Sequence, residues 1–184
     1  MKKLRSDIEQ FRRLSGQVGE TSALKILITC VNPRIAPVTL IRLAEFFHAK
    51  RLRVFSKLCS MLNVAIFGIE VSPRVEIGGG LFLPHTVGTV IGARSLGSNC
   101  TVMQGVTLGA LESDLSFTLA KRPVIGNDVL IGSGAKILGG ISVGDHAKIG
   151  ANAVVLCDVP AYALAIGVPA RVIIRSPVGE TKAD

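Results

Sequence analysis

The side chains that could carry acid–base or nucleophilic chemistry are few in this chain of 184 residues: three histidines and four cysteines. The histidines lie far apart in the sequence, as His48, His85 and His146. Neutral imidazole, with an ordinary pKa of about 6.5, can accept a proton from a hydroxyl near neutral pH. On residue type alone, however, a single histidine in a strand-rich chain is more often structural than catalytic.

The four cysteines favour neither a metal site nor a disulfide framework. They are widely spaced and form no CxxC pair: Cys30, Cys59, Cys100 and Cys157. Zinc sites and small disulfide-rich folds need closely spaced cysteines. We therefore expect reduced thiols, most of them buried.

The composition predicts a repetitive β structure to position these side chains. Hydrophobic residues make up 48% of the chain but aromatic residues only 4%, and there are 20 glycines. The core must therefore be aliphatic. Of the glycines, 17 follow residue 69, which favours short turns that recur at fixed places in that part of the chain.

A six-residue repeat occupies this second part. Written in sixes from Ile125, the sequence reads IGNDVL, IGSGAK, ILGGIS, VGDHAK, IGANAV and VLCDVP. Every first position is Ile or Val, and every fifth position is Val, Ala or Ile. The same phase occurs upstream from Val71 and from Leu96, with slips between Thr89 and Leu96 and after Leu108. Such slips indicate insertions that protrude from one face of a solenoid.

This period predicts short strands that close triangular coils of about 18 residues. The first-position aliphatic side chains point into the prism, and each coil hydrogen-bonds to the coils above and below it. His146 falls at a bend, where we expect it to be exposed, and His48 falls in the preceding helical part. We assign neither of them a chemical role.

The first 69 residues differ in kind from the rest. They carry 12 Lys and Arg against 4 Asp and Glu, whereas the remaining residues are balanced at 9 against 9. From Thr21 to Phe67 apolar residues recur at helical spacing, and Pro33 and Pro37 separate the first helix from the second. One apolar face comprises Leu40, Leu43, Ala44 and Phe47, and another comprises Phe55, Leu58, Leu62 and Ile66. The basic residues around the second and third helices are Arg42, Lys50, Arg51, Arg53 and Lys57.

This basic helical segment has two interpretations. It is a solvated face on a small cap, or it is a basic amphipathic surface that makes peripheral contact with an anionic membrane. Nucleic acid is not expected as a partner, because no DNA- or RNA-binding motif accompanies the charge. The start MKKLRSDIEQFRR lacks the apolar stretch of a secretory signal, and no run reaches the roughly 18 apolar residues of a membrane span. We expect a cytoplasmic protein, with the inner face of the membrane as the alternative location.

Several motifs, in a fixed order, resemble the serine acetyltransferase group of the hexapeptide-repeat acyltransferases. They are FGIEVSP, GGGLFLPHTVGTVIG, MQGVTLGA, IGSGAKILG, AKIGANAVV and GVPAR, and the resemblance extends from Glu70 to Val172. It implies a mainly β fold, a left-handed parallel β-helix preceded by a small α-helical segment. We accordingly divide the chain into a basic helical segment (1–69), an acetyltransferase domain (70–175) and a C-terminal tail (176–184).

The resemblance also implies the site. His85 corresponds to the general base of that family, and Glu70 to the acidic residue that orients the base, as Glu where the family has Asp. The acyl donor implied is acetyl-CoA, bound in a groove between neighbouring β-helices of a homotrimer. The positions that correspond to this groove are Ala110, Ser133, Lys148 and Ala151. Lys148 either meets a CoA phosphate or is a solvated bend residue.

Two positions depart from the family's serine enzymes and change the expected acceptor. Pro84 replaces the Asp that binds the amino acid, and Arg122 replaces a second active-site His. Losing a carboxylate that pairs with an ammonium costs about 1.5–3 kcal/mol. We therefore expect Pro84, Gln104 and Arg122 to contact a sugar or surface-polysaccharide precursor, as in the polysaccharide O-acetyltransferase-like members of the group.

Three alternatives stay open at this point. The acceptor is free L-serine, or it is the amine of a nucleotide sugar, or the β-helix is a scaffold without activity. A metal-dependent β-helix enzyme needs three convergent histidine ligands. The repeat region has only His85 and His146, at unlike positions in their repeats, so we predict no metal site.

Overall fold

The structure is a computed structural model that describes residues 2–17, 29–114 and 116–174. The helices with defined bounds precede the strands: α1 (Lys2–Leu14), α2 (Ala36–Ala49) and α3 (Arg53–Phe67). Pro37 lies in the first turn of α2, as predicted, where its missing N–H has no partner to lose. The helix predicted from Thr21 and the C-terminal tail fall on residues 18–28 and 175–184, which lie outside the described ranges.

Short strands form the three faces of a triangular prism. Sheet A consists, in spatial order, of β1 (Ile69–Val71), β3 (Thr89–Ile91), β6 (Thr107–Gly109), β9 (Lys136–Leu138) and β12 (Val154–Val155). Sheet B consists of β2 (Glu76–Ile77), β4 (Ser95–Leu96), β7 (Val124–Ile125) and β10 (Ser142–Val143). Sheet C consists of β5 (Thr101–Val102), β8 (Leu130–Ile131), β11 (Lys148–Ile149), β13 (Leu164–Ile166) and β14 (Arg171–Ile173).

The pairing register follows from the six-residue repeat. Val124 pairs with Ser142 in sheet B and Leu130 with Lys148 in sheet C, and both partners are one 18-residue coil apart. The strand pairs are parallel, except that β14 returns antiparallel to β13 and ends the stack. The predicted fold class, a left-handed parallel β-helix after a small helical segment, is confirmed.

The core of the prism is aliphatic, as the repeat predicts. The first-position residues of the six consecutive repeats are at most 2% exposed: Ile125, Ile131, Ile137, Val143, Ile149 and Val155. Small residues such as Ala135 and Ala147 fill the fifth position and are fully buried. Burial of aliphatic side chains on every coil, together with hydrogen bonds between coils, is what holds such a stack together.

The predicted insertion after Leu108 lies between β6 and β7. Across it, Thr107 pairs with Lys136, 29 residues away rather than 18, and the 11 additional residues are 111–121. The loop ends in a 3-10 turn, Leu119–Lys121, before β7 begins. We call residues 111–121 the insertion loop.

Successive coils lie so close at some bends that only glycine fits. A Cβ atom on Gly97 would be 2.3 Å from the carbonyl oxygen of Gly126 on the next coil. Other bends carry residues in the left-handed region, among them His146 with φ 59°. His146 is exposed and its ring stacks on Tyr162 at 4.7 Å, so the prediction that it lies exposed at a bend is confirmed.

A buried ion pair joins the helices to the first coil. Asp7 of α1 is fully buried and accepts hydrogen bonds from Arg42 of α2 at 2.8 and 2.9 Å and from the amide of Leu81 at 2.8 Å. Arg42 also donates to Glu45 at 2.9 Å and to the carbonyl of Ile77 at 3.1 Å. Placing Arg42 on a solvated basic face was therefore wrong: its charge is paired in the interior.

The polarity of α3 is the reverse of what a surface helix usually shows. Its buried residues are Ser56, Cys59 and Asn63, which pack against α2. The apolar face identified in the sequence is exposed: Phe55, Leu58, Leu62 and Ile66. Small polar side chains allow close helix packing here, because Ser56 donates to the carbonyl of Ala44 and Asn63 donates to that of Pro37.

The cysteines are reduced, and they differ in burial. All four cysteines are free, but Cys59 and Cys100 alone are buried, Cys30 is half-buried and Cys157 is exposed. Burial raises the pKa of the Cys100 thiol to about 11. None of the described helices is both long and apolar enough to cross a membrane.

Candidate active site

His85 lies at the prism corner where the chain passes from sheet C to sheet A. Phe82 bridges to Thr101 of sheet C, and β3 of sheet A begins at Thr89, so His85 occupies the bend between them. The hydroxyl of Thr86 donates to the carbonyl of Phe67 at 2.7 Å, which fixes the backbone next to His85. The histidine side chain is exposed, as a general base that must reach a substrate has to be.

The same corner of the following coils carries three more of the predicted site residues. Hydrogen bonds connect the bends in order: Gly105 N to Val87 O at 3.0 Å, Gly134 N to Gln104 O at 2.8 Å, and Asn152 N to Ser133 O at 2.8 Å. Since coils repeat at about 4.8 Å, Ser133 lies roughly 10 Å from the level of His85. We call this stack of bends, which carries His85, Gln104, Ser133 and Ala151, the His85 corner.

Glu70 is on the neighbouring face rather than in this corner. It lies in β1 of sheet A between the buried residues Ile69 and Val71, and its own side chain is exposed. Its register partner is Val90, five residues beyond His85. Within the described ranges the side chains of Glu70 and His85 form no hydrogen bond or ion pair with each other, so the predicted pairing stays a prediction.

The four positions assigned to the donor groove do not all lie together. Ser133 and Ala151 belong to the His85 corner, and Lys148 is exposed in β11, three residues before Ala151. Ala110 follows β6 at a different corner, at the base of the insertion loop. One prism alone therefore does not gather all four positions into one groove.

Gln104 lies in a bend that is hydrogen-bonded by Lys136 of β9, a residue that the sequence did not point to. The Oε1 atom of Gln104 is buried and has no hydrogen-bond partner among the described residues. Lys136 donates to the carbonyl of Gly105 at 2.6 Å and to the hydroxyl of Thr107 at 3.1 Å. The sequence could not predict this contact, because Lys136 is at an ordinary strand position of the repeat and the carbonyl that it binds lies 31 residues earlier in the chain.

Arg122 holds the insertion loop against the prism. It donates to the carbonyl of Gly92 at 2.8 Å, to the carbonyl of Asp114 at 3.0 Å and to its carboxylate at 3.2 Å. Its guanidinium also lies 3.8 Å from the ring centroid of Phe117. Hydrogen bonds from Ser116 and Thr118, together with the charge of Arg122, lower the pKa of Asp114 to about 2.

No group of three or more His, Cys, Asp or Glu residues in the described ranges could hold a metal ion. The site consists instead of an exposed imidazole, an exposed carboxylate one face away, and a corner with small side chains. These features suit acyl transfer by a general base.

The fold and this corner define a class of protein. Residues 122–157 match the family described as bacterial transferase hexapeptide (six repeats). The chain is an acyltransferase of this hexapeptide-repeat class.

Relatives identify the family within the class. A serine acetyltransferase of Helicobacter pylori is 42% identical over 149 residues, which cover 80% of this chain and 85% of the relative. A serine acetyltransferase of Synechococcus elongatus is 40% identical over 138 residues, which cover 74% of this chain and 55% of the relative. This chain thus spans most of one relative and about half of the other. It belongs to the serine acetyltransferase family.

Solved structures agree with this assignment. A truncated serine acetyltransferase apoenzyme superposes with a TM-score of 0.78 at 31% identity, covering 94% of this chain and 69% of that chain. A Neisseria gonorrhoeae serine acetyltransferase in complex with serine gives the same TM-score at 28% identity, covering 94% of this chain and 68% of that chain.

These relatives overturn the predicted acceptor. The expectation of a sugar or polysaccharide precursor, and of membership among polysaccharide O-acetyltransferase-like proteins, was wrong, because the similarity is to serine acetyltransferases. The expectation gave decisive weight to Pro84 and Arg122. Arg122 is 9% exposed and bonded within the chain, so its presence has a structural reason that requires no different acceptor.

Proposed function

We propose that this protein transfers the acetyl group of acetyl-CoA to the hydroxyl of L-serine. The observation that carries the proposal is the 42% identity to a serine acetyltransferase along 85% of that relative's length. The serine bound in the Neisseria gonorrhoeae enzyme supports L-serine as the acceptor.

His85 acts as the general base. Its imidazole accepts the hydroxyl proton of serine while the oxygen attacks the thioester carbonyl, and a tetrahedral intermediate forms. When this intermediate collapses, the C–S bond breaks and the imidazolium returns the proton to the departing CoA sulfur. Glu70 orients the ring and stabilises the imidazolium. For this, the carboxylate of Glu70 on sheet A and the imidazole of His85 must move into hydrogen-bonding distance of each other.

Acetyl-CoA binds along the His85 corner. The small side chains of Ser133 and Ala151 leave the corner backbone accessible to the pantetheine arm, and the exposed Lys148 meets a CoA phosphate. Pro84 and Gln104 contact the acceptor, and the unpaired Oε1 of Gln104 is available to a hydrogen-bond donor. Arg122 acts on the acceptor side by fixing the insertion loop.

The working form is a homotrimer with active sites between subunits. In support, Ala110 is at a different corner from Ser133 and Ala151, so a groove that uses all three positions needs the faces of two copies. Light scattering on the purified chain is expected to give three times the mass of 19.3 kDa. The cytoplasmic location and the division at residues 69 and 175 stay predictions.

The experiment measures CoA release from acetyl-CoA with L-serine as the acceptor, with a reaction lacking serine as the blank. His85→Ala is expected to lower kcat about 10²- to 10⁴-fold, the usual contribution of a general base, and Glu70→Gln to lower it less. His146→Ala is the matched control, since His146 is also an exposed corner histidine. Absence of serine-dependent CoA release from the folded trimer would refute the proposal, and equal rates for His85→Ala and His146→Ala would refute the base assignment.

A further inference from the structure

Lys136 is a half-buried cation whose hydrogen-bond acceptors are both neutral. It lies in β9 on the outer face of sheet A, between the buried residues Ala135 and Ile137. Its ammonium donates to the carbonyl of Gly105 at 2.6 Å and to the hydroxyl of Thr107 at 3.1 Å. Within the described ranges Lys136 forms no ion pair with an Asp or Glu. The charge is therefore partly withdrawn from water without an opposite charge to compensate it.

The β-helix does not need a lysine at this position. The outward residues that pair with Lys136 on the coils before and after it are Thr107 and Val154, and these uncharged residues keep the same parallel register. Withdrawing a charge from water costs free energy unless an opposite charge or good hydrogen bonds compensate it. Residues that cost stability without serving the fold are more common at functional sites, so Lys136 calls for a role in the function.

The bond from Lys136 fixes the bend that lies one coil after that of the candidate base. Gly105 has a φ of 71°, in the left-handed region, and a glycine bend moves easily unless its peptide groups are held. Its amide donates to the carbonyl of Val87 on the coil before, at 3.0 Å, and its carbonyl accepts from Lys136 on the coil after. The next bend, at Gly134, lacks such a bond, because the corresponding outward residue is Val154, which has no side-chain donor.

We propose that Lys136 is a positioning residue for the acceptor: by holding the carbonyl of Gly105, it sets the place of the Gln104 side chain relative to His85. The buried Oε1 atom of Gln104 has no hydrogen-bond partner among the described residues, so the backbone of the bend, rather than a bond at this atom, determines where it lies. This role rests on the proposed function, in which Gln104 contacts the acceptor. The bonds that support it lie within one chain and do not depend on how copies of the chain assemble.

The first test compares the kinetics of two lysine variants. Lys136→Met removes the ammonium and keeps a flexible side chain. It is expected to lower kcat/KM for L-serine about 10- to 100-fold, since a misplacement of about 1 Å costs up to about 10²-fold. KM for acetyl-CoA is expected to stay unchanged, because Ser133 and Ala151 lie on later coils. Lys136→Arg, which keeps a cationic donor, is expected to recover most of the loss.

Lys50→Met is the matched control. Lys50 is exposed just after the end of α2, and its removal is expected to leave kcat/KM for L-serine and KM for acetyl-CoA unchanged. Equal kcat/KM for L-serine in Lys136→Met and Lys50→Met would overturn the proposal.

Two further variants test whether Lys136 acts through the bend. Gln104→Ala/Lys136→Met is expected to react with L-serine about as slowly as Gln104→Ala alone, because the residue to be positioned is gone. Additive losses would overturn the proposal. Thr107→Val removes one of the two acceptors of the ammonium and is expected to give a smaller loss of kcat/KM for L-serine. A lower Tm with proportional losses for both substrates in Lys136→Met would show a general structural role and would equally overturn it.

Amide hydrogen exchange tests the same bend without an acceptor. In Lys136→Met the Gly105 amide is expected to exchange at least about tenfold faster, because its bend opens locally. The Gly144 amide, which donates to the carbonyl of Val159 at 2.8 Å, is expected to keep its rate. Unchanged exchange at Gly105 would overturn the proposal whatever the acceptor is. If the unchanged protein releases no CoA with L-serine, the proposed function fails, and faster exchange at Gly105 still supports the fixation of the bend by Lys136.

Discussion

Replacing Asp7 by Ala is expected to destabilise this protein strongly, although Asp7 is far from the candidate site in sequence. Its carboxylate is fully buried and accepts two hydrogen bonds from Arg42 and one from the amide of Leu81. Removing one partner of a buried ion pair costs about 3–5 kcal/mol. Glu45 still pairs with Arg42 after the change, so we expect the lower end, about 3 kcal/mol.

The measurement is thermal unfolding followed by circular dichroism near pH 7. For a chain of this length, about 3 kcal/mol corresponds to a Tm lower by roughly 6–12 °C. Glu9→Ala is the matched control. Glu9 lies on the same helix and pairs with Arg5 at the similar distance of 2.9 Å, but the two side chains are 59% and 73% exposed. An exposed pair contributes at most about 1 kcal/mol.

Two further measurements make the reasoning refutable. Asp7→Ala/Arg42→Ala is expected to cost less than the sum of the single changes, because the arginine charge is no longer stranded. Leu81 lies four residues before His85, so Asp7→Ala is also expected to lower acetyl transfer more than Glu9→Ala does. If Asp7→Ala and Glu9→Ala lower the Tm equally, burial is not what gives the pair its strength.

Three more outcomes are expected. Gly97→Ala is expected to lower the free energy of unfolding in urea by about 1–3 kcal/mol, because its Cβ would be 2.3 Å from the carbonyl oxygen of Gly126 on the next coil. Gly109→Ala, whose Cβ would have no atom within 4 Å, is expected to change it by less than about 0.5 kcal/mol. Equal changes in the two variants would contradict the packing argument. Hydrogen bonds within the insertion loop lower the pKa of Asp114 from 3.8 to about 2, so its stabilisation is complete above about pH 4 and is lost as the pH falls toward 2. The Tm difference between the unchanged protein and Asp114→Asn should therefore disappear in acid, and a constant difference would refute this. A thiol reagent at pH 8 should label Cys157, which is exposed, before Cys100, whose thiol is buried with a pKa raised to about 11; labelling of Cys100 first would show that its coil opens.

The repeat could be predicted from the sequence because its cause is local. An aliphatic residue at every sixth position, such as Ile131 and Ile137, must point inward in each coil, and the observed burial agrees. The slip after Leu108 likewise predicted an insertion, which is the loop 111–121. The exposed bend of His146 followed from its place in the repeat.

The candidate site was predictable in part. The family motif indicated His85 as the candidate base, and the structure places it at an exposed corner that also carries Gln104 and Ser133. The acceptor was predicted wrongly, because Arg122 was assumed to contact the acceptor, whereas its guanidinium is hydrogen-bonded within the chain. Its bonds to Gly92 and to the insertion loop depend on how the chain folds back across coils.

The sequence by itself determined the solenoid, its period and its insertion, and its resemblance to a family indicated His85 as the candidate base. Only the tertiary structure decided which charges are paired and which apolar faces are covered. Asp7 and Arg42 are 35 residues apart and become a buried pair, while the apolar face of α3 stays exposed and Ser56 and Asn63 pack inside. The physical reason is that burial and pairing are properties of contacts between distant segments, and a local pattern of residue types does not contain those contacts.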